Sequence, residues 1–441
     1  MAENTDQLEE TLMLAAAAAD RRYEGNHSYS TKNFVDSPEG ETSEDDTVHN
    51  TQTKTEGSYN KRKRQLDDDD QPRPLNKCLI EPEKPVSHSE VVATHYNLIE
   101  DKGLKERAES KIIYLRRFHN WIKSMLINEY LTKIKDSKKQ FNPPIRVFDL
   151  CGGKGGDLEK WRKGNVTHVI ISDIAEGSLE DCKQRYNLMK QSSQNRRRWH
   201  SGNLFSIEYI HGDAGKVRYR EKFEDPSLKL DLVSSQFAFH YSFESLSQAE
   251  CWLKNASECL QAGGYFIGTM VDSNEVISRA RKSNNGRFGN DIYQVIPHFD
   301  IENPPLFGGK YDFKLDGRVN CPEFLVHFPT FVKLARKYGL KLVKKEKFGQ
   351  FFERIKVEGK RLLVNMAALE SYPARDNKPL TGDAPDDYNH ATTFISRQGN
   401  SQYLCGTLSK SDWEASSLYL TFAFEKEKVR SWNKDGTPCY D

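Results

Sequence analysis

No apolar run in this 441-residue chain approaches the roughly 18–20 residues that a helix needs to cross a bilayer, so no membrane partner is expected. The one apolar stretch near the N-terminus, residues 12–19, follows Glu9 and Glu10 rather than a basic segment, which argues against a signal peptide. Cysteines at metal-knuckle or redox spacing are missing too. The eight cysteines never come closer than eight positions apart (Cys251 and Cys259), so zinc sites and thioredoxin-type chemistry drop out. Reduced thiols of an intracellular protein are expected instead. Large aliphatic residues are scarce in residues 21–74, where Phe34, Val35, Val48 and Leu66 are the only Ile, Leu, Val or Phe. Such a segment cannot bury enough surface to offset chain entropy and is expected to be disordered.

The net charge of +1 conceals an asymmetry: residues 1–80 carry −7 and the remaining 361 carry +8. A basic body suggests an anionic partner. Within the acidic tail, Lys61-Arg62-Lys63-Arg64 precedes Asp67-Asp68-Asp69-Asp70. Four contiguous bases on an accessible tail read as a nuclear import signal, with import receptors as partners and the nucleus as location. Residues 9–20, rich in Ala and Leu, are expected to form a short helix or docking peptide. The expected division is a regulatory tail over 1–88 and a globular domain over 89–441.

Residues 104–135 read as one or two helices, with Ile112, Ile113, Leu115, Phe118, Trp121, Ile122, Met125 and Leu126 at helical spacing, and Pro143-Pro144 ends them. Short β-rich runs follow at 145–150, 168–173, 205–213, 230–237 and 265–270, with helical patterns between them. One such helix spans 246–260, with Gly263-Gly264 as its expected C-cap. Strand–helix alternation with apolar strands predicts an α/β fold around a doubly wound, mostly parallel sheet, joined late by 340–348 and 418–424. Residues 293–328, rich in Pro, Gly and aromatics, are expected to form a lid or insertion (about 272–330) rather than sheet.

The first strand ends in Asp149-Leu150-Cys151-Gly152-Gly153-Lys154-Gly155-Gly156-Asp157. A glycine-rich turn at a strand's carboxyl end lets backbone approach a ligand at the sheet's switch point. It is not a Walker loop, because Lys154 is followed by Gly, nor G-x-G-x-x-G, because Leu158 stands three after Gly155. The second strand ends in Asp173, suited to both ribose hydroxyls of an adenosine, and the third in Asp213, placed for an adenine edge. Gln236 ends the fourth, followed by Phe237, His240 and Tyr241. Acid-ended strands around a glycine turn describe an S-adenosylmethionine site better than a dinucleotide site.

That run occurs together with Phe118-His119-Asn120-Trp121-Ile122-Lys123, Ser235-Gln236-Phe237-Ala238-Phe239-His240-Tyr241-Ser242-Phe243-Glu244-Ser245, Pro322-Glu323-Phe324-Leu325-Val326, Leu404-Cys405-Gly406-Thr407-Leu408-Ser409-Lys410 and Tyr419-Leu420-Thr421-Phe422-Ala423-Phe424. In that order they resemble the eukaryotic mRNA cap guanine-N7 methyltransferase family. The resemblance implies a Rossmann-like class I methyltransferase fold with a seven-stranded sheet, and S-adenosylmethionine as methyl donor without a metal. It implies donor binding by Lys123, Cys151, Gly153, Gly155, Asp173, Asp213, Gln236 and Tyr241. For the capped RNA end it implies His119, Asn120, Lys154, Lys160, Arg185, His240, Glu323 and Tyr419. A carboxylate such as Glu323 accepts from guanine N1 and N2, aromatics stack the purine, and Lys or Arg meet the triphosphate. His240 and Tyr241 are expected to position substrate rather than act as acid or base. A small activating subunit and the transcription and capping machinery are implied partners.

Family members usually carry Gly-Cys-Gly where this chain has Cys151-Gly152-Gly153. Gly152 is expected to absorb the turn's positive φ, so that exchanging Cys151 and Gly152 tightens donor binding. The Cys151 thiol, near Lys154 and a cationic donor, is expected to have a lowered pKa. The alternatives are an S-adenosylmethionine enzyme acting on a small molecule, and a non-catalytic RNA-binding or scaffold protein.

Overall fold

Two helices, α1 (His88–Leu98) and α2 (Ile113–Lys138), precede five strands that all run in one direction. β1 (Arg146–Leu150), α3 (Leu158–Lys163), β2 (His168–Asp173), α4 (Glu176–Asn195), β3 (Ser206–His211), β4 (Leu230–Gln236), α5 (Leu246–Ser257) and β5 (Leu260–Val271) build the parallel part. Helix α6 (Ser273–Lys282) leads into β6 (Phe288–Gly289), β7 (Tyr293–Pro297), β8 (Lys310–Leu315) and β9 (Val319–Phe324). The chain then returns through α7 (Phe328–Lys337), β10 (Leu340–Lys347), α8 (Phe348–Ile355) and α9 (Lys360–Asn365). A small lobe of β11 (Glu370–Tyr372), α10 (Asn389–Arg397) and β12 (Cys405–Thr407) precedes α11 (Lys410–Ser416) and β13 (Tyr419–Lys426). This computed structural model describes residues 87–98, 109–195, 204–375, 379–399 and 403–440, which belong to one compact unit. The readings of a helix at 9–20, disorder at 21–74 and an import signal at Lys61–Arg64 lie outside the described residues, as do residues 99–108 of the helical region.

The main sheet has the order β10-β13-β5-β4-β1-β2-β3, with only β13 reversed. It is doubly wound, mostly parallel and seven-stranded: the class I methyltransferase arrangement. Successive strand residues alternate between two buried layers, Val147 and Val169 on one side and Phe148 and Ile170 on the other. This is why the strands read as continuous apolar runs rather than as an alternating pattern. Helix α2 buries Phe118, Trp121, Ile122, Met125 and Leu126 on one layer, which aims its remaining face, with His119, Asn120 and Lys123, at the strand ends. The switch point falls between β1 and β4, where the chain leaves in opposite directions.

Two expectations are corrected. Gly263-Gly264 does not cap the preceding helix, which ends at Ser257. The pair lies inside β5, where the register with β4 shifts between Leu230 and Leu232. Gly263 takes a φ of +79°, and a Cβ on Gly264 would stand 2.8 Å from the Asp231 carbonyl oxygen, so the glycines serve a bulge. The second concerns 293–328. That region is sheet: β6 to β9 form a four-stranded antiparallel layer with Tyr293, Val295, Tyr311 and Phe313 buried in alternation. Pro322 is accommodated because β9 lies at the layer's edge, where a missing N–H is tolerated.

Candidate active site

The carboxyl ends of β1, β2 and β4 open onto a cavity with about 240 Å³ available to the centres of water molecules. Lys123, Cys151, Gly153, Asp173, Asp213, Gln236 and Tyr241 line it, together with Asp157, Ile174, Phe237, Gln248 and Trp252. Helix α1 covers one side through His88, Ser89, Val92 and Tyr96. Gly155 does not line the cavity. With φ +73°, its Cβ position stands 2.7 Å from Cys182 Sγ and 2.8 Å from Leu158 Cδ1, so this glycine lets the turn pack on the helices beneath it.

Asp173 ends β2, and its carboxylate is held on both sides by backbone: Gly153 N–H donates to Oδ2 at 2.9 Å and Ala175 N–H to Oδ1 at 2.9 Å. Burial raises its pKa, and these amides oppose the rise. A Cβ on Gly153, whose φ is +54°, would point into the cavity with only Asp173 Oδ2 within reach, at 3.9 Å. Bare backbone beside a fixed carboxylate is a cradle that fits the ribose and methionine portions of S-adenosylmethionine. Asp213, just beyond β3, accepts from Gly215 N–H at 2.8 Å and has Lys216 Nζ 3.3 Å away.

Cys151 itself adopts the left-handed conformation, with φ +65°, whereas Gly152 does not. The expectation that Gly152 absorbs the dihedral is therefore reversed. A Cβ on Gly152 would stand 2.9 Å from Ile171 Cγ2 and 3.0 Å from Asp149 Cγ, so the exchange of the pair creates a clash. Cys151→Gly alone should raise stability by about 1 kcal/mol, the order of a left-handed residue's strain. The double exchange should lower stability, and urea unfolding of both proteins checks this. The thiol expectation is corrected as well. Lys154 pairs with Asp181 at 2.7 Å, while burial, then Asp173, Asp213 and Asp149, push the Cys151 thiol well up. It is a poor nucleophile.

Lys123 reaches from α2 to Asp157, with Nζ 2.8 Å from Oδ1 and 3.0 Å from Oδ2. Lys160 meets the same Oδ1 at 2.8 Å and donates to Asn120 Oδ1 at 2.5 Å. Burial alone would raise Asp157, but these two ammonium groups hold it well below the usual carboxylate range. Asp149 beneath them accepts from Trp161 Nε1 at 3.0 Å and is pushed up by burial and then by Asp157. Two cations around one carboxylate leave positive charge facing the cavity, suited to a ligand carboxylate or phosphate.

Beside the cavity lies a box of rings. His119 stacks on Phe237 (centroids 5.5 Å apart, 16° between planes) and meets Tyr419 at 5.0 Å and Phe348 at 5.2 Å edge-on. Its Nε2 is 3.1 Å from Ser416 Oγ. Burial, then Lys123, pushes the His119 pKa down to about 3, so the ring is neutral. Glu323 on β9 is buried, accepts from the Tyr311 hydroxyl at 2.8 Å and stands 3.4 Å from His240 Nε2. Neither ring nitrogen of buried His240 has a hydrogen-bond partner among the described residues, Glu323 being the carboxylate nearest Nε2. Phe237 joins the cavity to the ring box, and Tyr241 lines the cavity with its hydroxyl 3.2 Å from Tyr96 Oη and 3.4 Å from Cys321 Sγ.

Thus the fold gathers seven of the eight expected donor residues around one cavity. His119 and Tyr419 meet in the ring box, and His240 meets Glu323. Asn120 and Lys160 join the Lys123 cluster, while Lys154 pairs across to α4 and Arg185 sits on α4 near Cys182. Asp157, Phe237, Phe348 and Tyr96 were not singled out as site residues from the sequence. Asp157 and Phe237 lie inside the quoted motifs, which was the available signal.

A family model described as the mRNA (guanine-N(7))-methyltransferase domain matches residues 80–427. The mRNA cap guanine-N(7) methyltransferase of Drosophila melanogaster is 46% identical over 359 residues, covering 80% of this chain and 81% of its own. That of Caenorhabditis elegans is 36% identical over 357 residues, covering 80% and 90%. The mRNA cap guanine-N(7) methyltransferase 1 of Arabidopsis thaliana is 34% identical over 355 residues, covering 79% and 84%.

Proposed function

Because the chain belongs to the mRNA (guanine-N(7))-methyltransferase family, we propose that it methylates N7 of the guanosine capping the 5′ end of RNA, with S-adenosylmethionine as donor. One observation carries the reading: Phe237 lines the cavity that fits the donor and is also a wall of the ring box, stacked on His119 and edge-on to Tyr419. Bound S-adenosylmethionine supplies an electrophilic methyl group on a sulfonium leaving group. Guanine N7 is a lone-pair nucleophile with no proton to remove, so the protein needs no general base, and its task is alignment and a suitable field. Glu323 accepts from guanine N1–H and N2–H₂, His240 fixes the base's remaining polar edge, and Phe237 and Tyr419 hold the ring faces. Asp173 and the Gly153 backbone hold the ribose end of the donor, and Lys123 its carboxylate. Neutral His119 buttresses Phe237 rather than shuttling protons.

Transfer of a labelled methyl group to capped RNA, compared with the same RNA ending in a triphosphate, tests the function. Label on the capped RNA alone supports it, and equal or no labelling of both refutes it.

Proposed partners are capped RNA, a small activating subunit, the transcription and capping machinery, and import receptors acting on Lys61–Arg64 in the nucleus. Residues 81–441 alone should methylate at a rate comparable to that of the full chain, since residues 21–74 hold only four Ile, Leu, Val or Phe. Deleting Lys61–Arg64 should shift the protein toward the cytoplasm. Steady-state kinetics and fluorescence imaging check the two halves of this prediction. An inactive but folded truncation, or unchanged nuclear enrichment, would contradict them.

A further inference from the structure

The lobe before β13 encloses three buried carboxylates, Glu370, Asp387 and Asp412. Two of them are provided for. Asp387 accepts from Ser411 N–H at 3.0 Å and Ala384 N–H at 2.9 Å, and Glu370 from Thr381 N–H at 2.8 Å, the Thr381 hydroxyl and the Tyr388 hydroxyl. Asp412, 1% exposed, receives no backbone amide and no cation at either oxygen among the described residues, and the Ser409 hydroxyl is the one group beside it that favours its ionised form. It stands in the first turn of α11, where backbone amides would normally hold a carboxylate. Those amides are already used: Lys410 N–H donates to the Asp387 carbonyl, Ser411 N–H to the Asp387 carboxylate, and Asp412 N–H to Ser409 Oγ. The nearby lysines face outward acids, Lys410 with Asp386 and Lys111 with Asp383. His390, whose Nε2 lies 3.0 Å from Thr407 Oγ1, is kept neutral by burial.

The other end of the same seven-residue helix touches the proposed cap site. Ser416 Oγ lies 3.1 Å from His119 Nε2, and Tyr419 begins the next strand. We propose that Asp412 is a positioning residue for the cap-binding wall: it must be protonated for α11 to hold His119 and Tyr419 in place, so that recognition of capped RNA is proton-linked through the lobe. This rests on the function proposed above. An ionised Asp412 would be a third buried anion beside Glu370 and Asp387, with no cation or backbone amide on it and the Ser409 hydroxyl its one polar neighbour, and moving α11 outward is the way to hydrate it. Burial, then Glu370 and Asp387, push its carboxyl up to about 8 against a smaller opposing effect of the Ser409 hydroxyl, which sets the working range.

The test compares the full chain with its Asp412→Asn variant, which keeps the shape and cannot ionise. In the wild type, KM for capped RNA should rise roughly threefold more between pH 7 and pH 9 than in the variant, while the donor Kd by calorimetry stays parallel in both. The cap guanine loses its own N1 proton at high pH in both proteins, so the difference between them is the readout. Melting temperature gives a second measure that needs no activity. A raised folded-state pKa confers stability that is full below the unfolded value near pH 4 and is lost as pH rises through about 8. The variant's advantage in Tm should therefore widen from pH 5 to pH 8.5 and then level off. Parallel KM profiles, or a Tm difference that does not change with pH, would overturn the proposal. A widening Tm gap with no methylation of capped RNA by either protein would instead sink the proposed function.

Discussion

Asp173→Ala should lower kcat/KM by about 10²–10⁴-fold, because two charge-assisted bonds to a ribose are worth roughly 1.5–3 kcal/mol each. The effect is expected to be large for a structural reason. The Asp173 carboxylate also receives Gly153 N–H and Ala175 N–H, so its loss removes ligand bonds and releases the glycine turn together. Donor affinity by calorimetry should fall in step with kcat/KM, while the circular dichroism spectrum stays native, since the layers flanking β2 do not involve this carboxylate. Activity within tenfold of wild type would remove Asp173 from the donor site.

Glu323→Gln should act on the other substrate. The substitution keeps the volume and the Tyr311 contact but replaces an anion that accepts two guanine N–H bonds with an amide that accepts only at one oxygen. An unmatched donor in a buried pocket costs about 1–3 kcal/mol, and more when charge is involved. kcat/KM for capped RNA should fall by about 10²–10³-fold with donor Kd unchanged. Should donor affinity fall equally, Glu323 would be a brace for Tyr241, through Cys321 on the same strand, rather than a reader of the base.

The central parallel strands were legible because β1, β2 and β4 are buried on both faces and so read as continuous apolar runs. Asp173 and Asp213 could be placed in a site because strand ends at a switch point converge whatever the rest of the chain does. The inserted sheet was not legible: β7 to β9 are short, and Pro322 reads as a breaker until β9 is known to be an edge. Gly263-Gly264 follows a helical pattern and looks like a cap, and only the shifted register with β4 shows the bulge. Lys123 looked like an ordinary polar-face residue of an amphipathic helix. Its role came from the resemblance, and its partner Asp157, 34 positions away, from the structure. Phe348 escaped for a related reason. The run 340–348 reads as a strand with Phe348 as its last apolar residue, and Phe348 becomes a wall of the ring box only when β10 and β13 pair. At Cys151 the local rule that glycine takes the positive φ failed because Ile171 and Asp149 leave no room for a side chain at position 152.

The central claim, methyl transfer to guanine N7 of the cap, is tested most directly by locating the methyl group. Capped RNA incubated with the protein and isotopically labelled donor is digested to free cap dinucleotides, which are then identified by mass spectrometry against standards. The account predicts all label in 7-methylguanosine, with the transfer lost in Asp173→Ala and strongly reduced in Glu323→Gln. Label on a ribose 2′ oxygen, on another guanine nitrogen or on an internal nucleotide would contradict it.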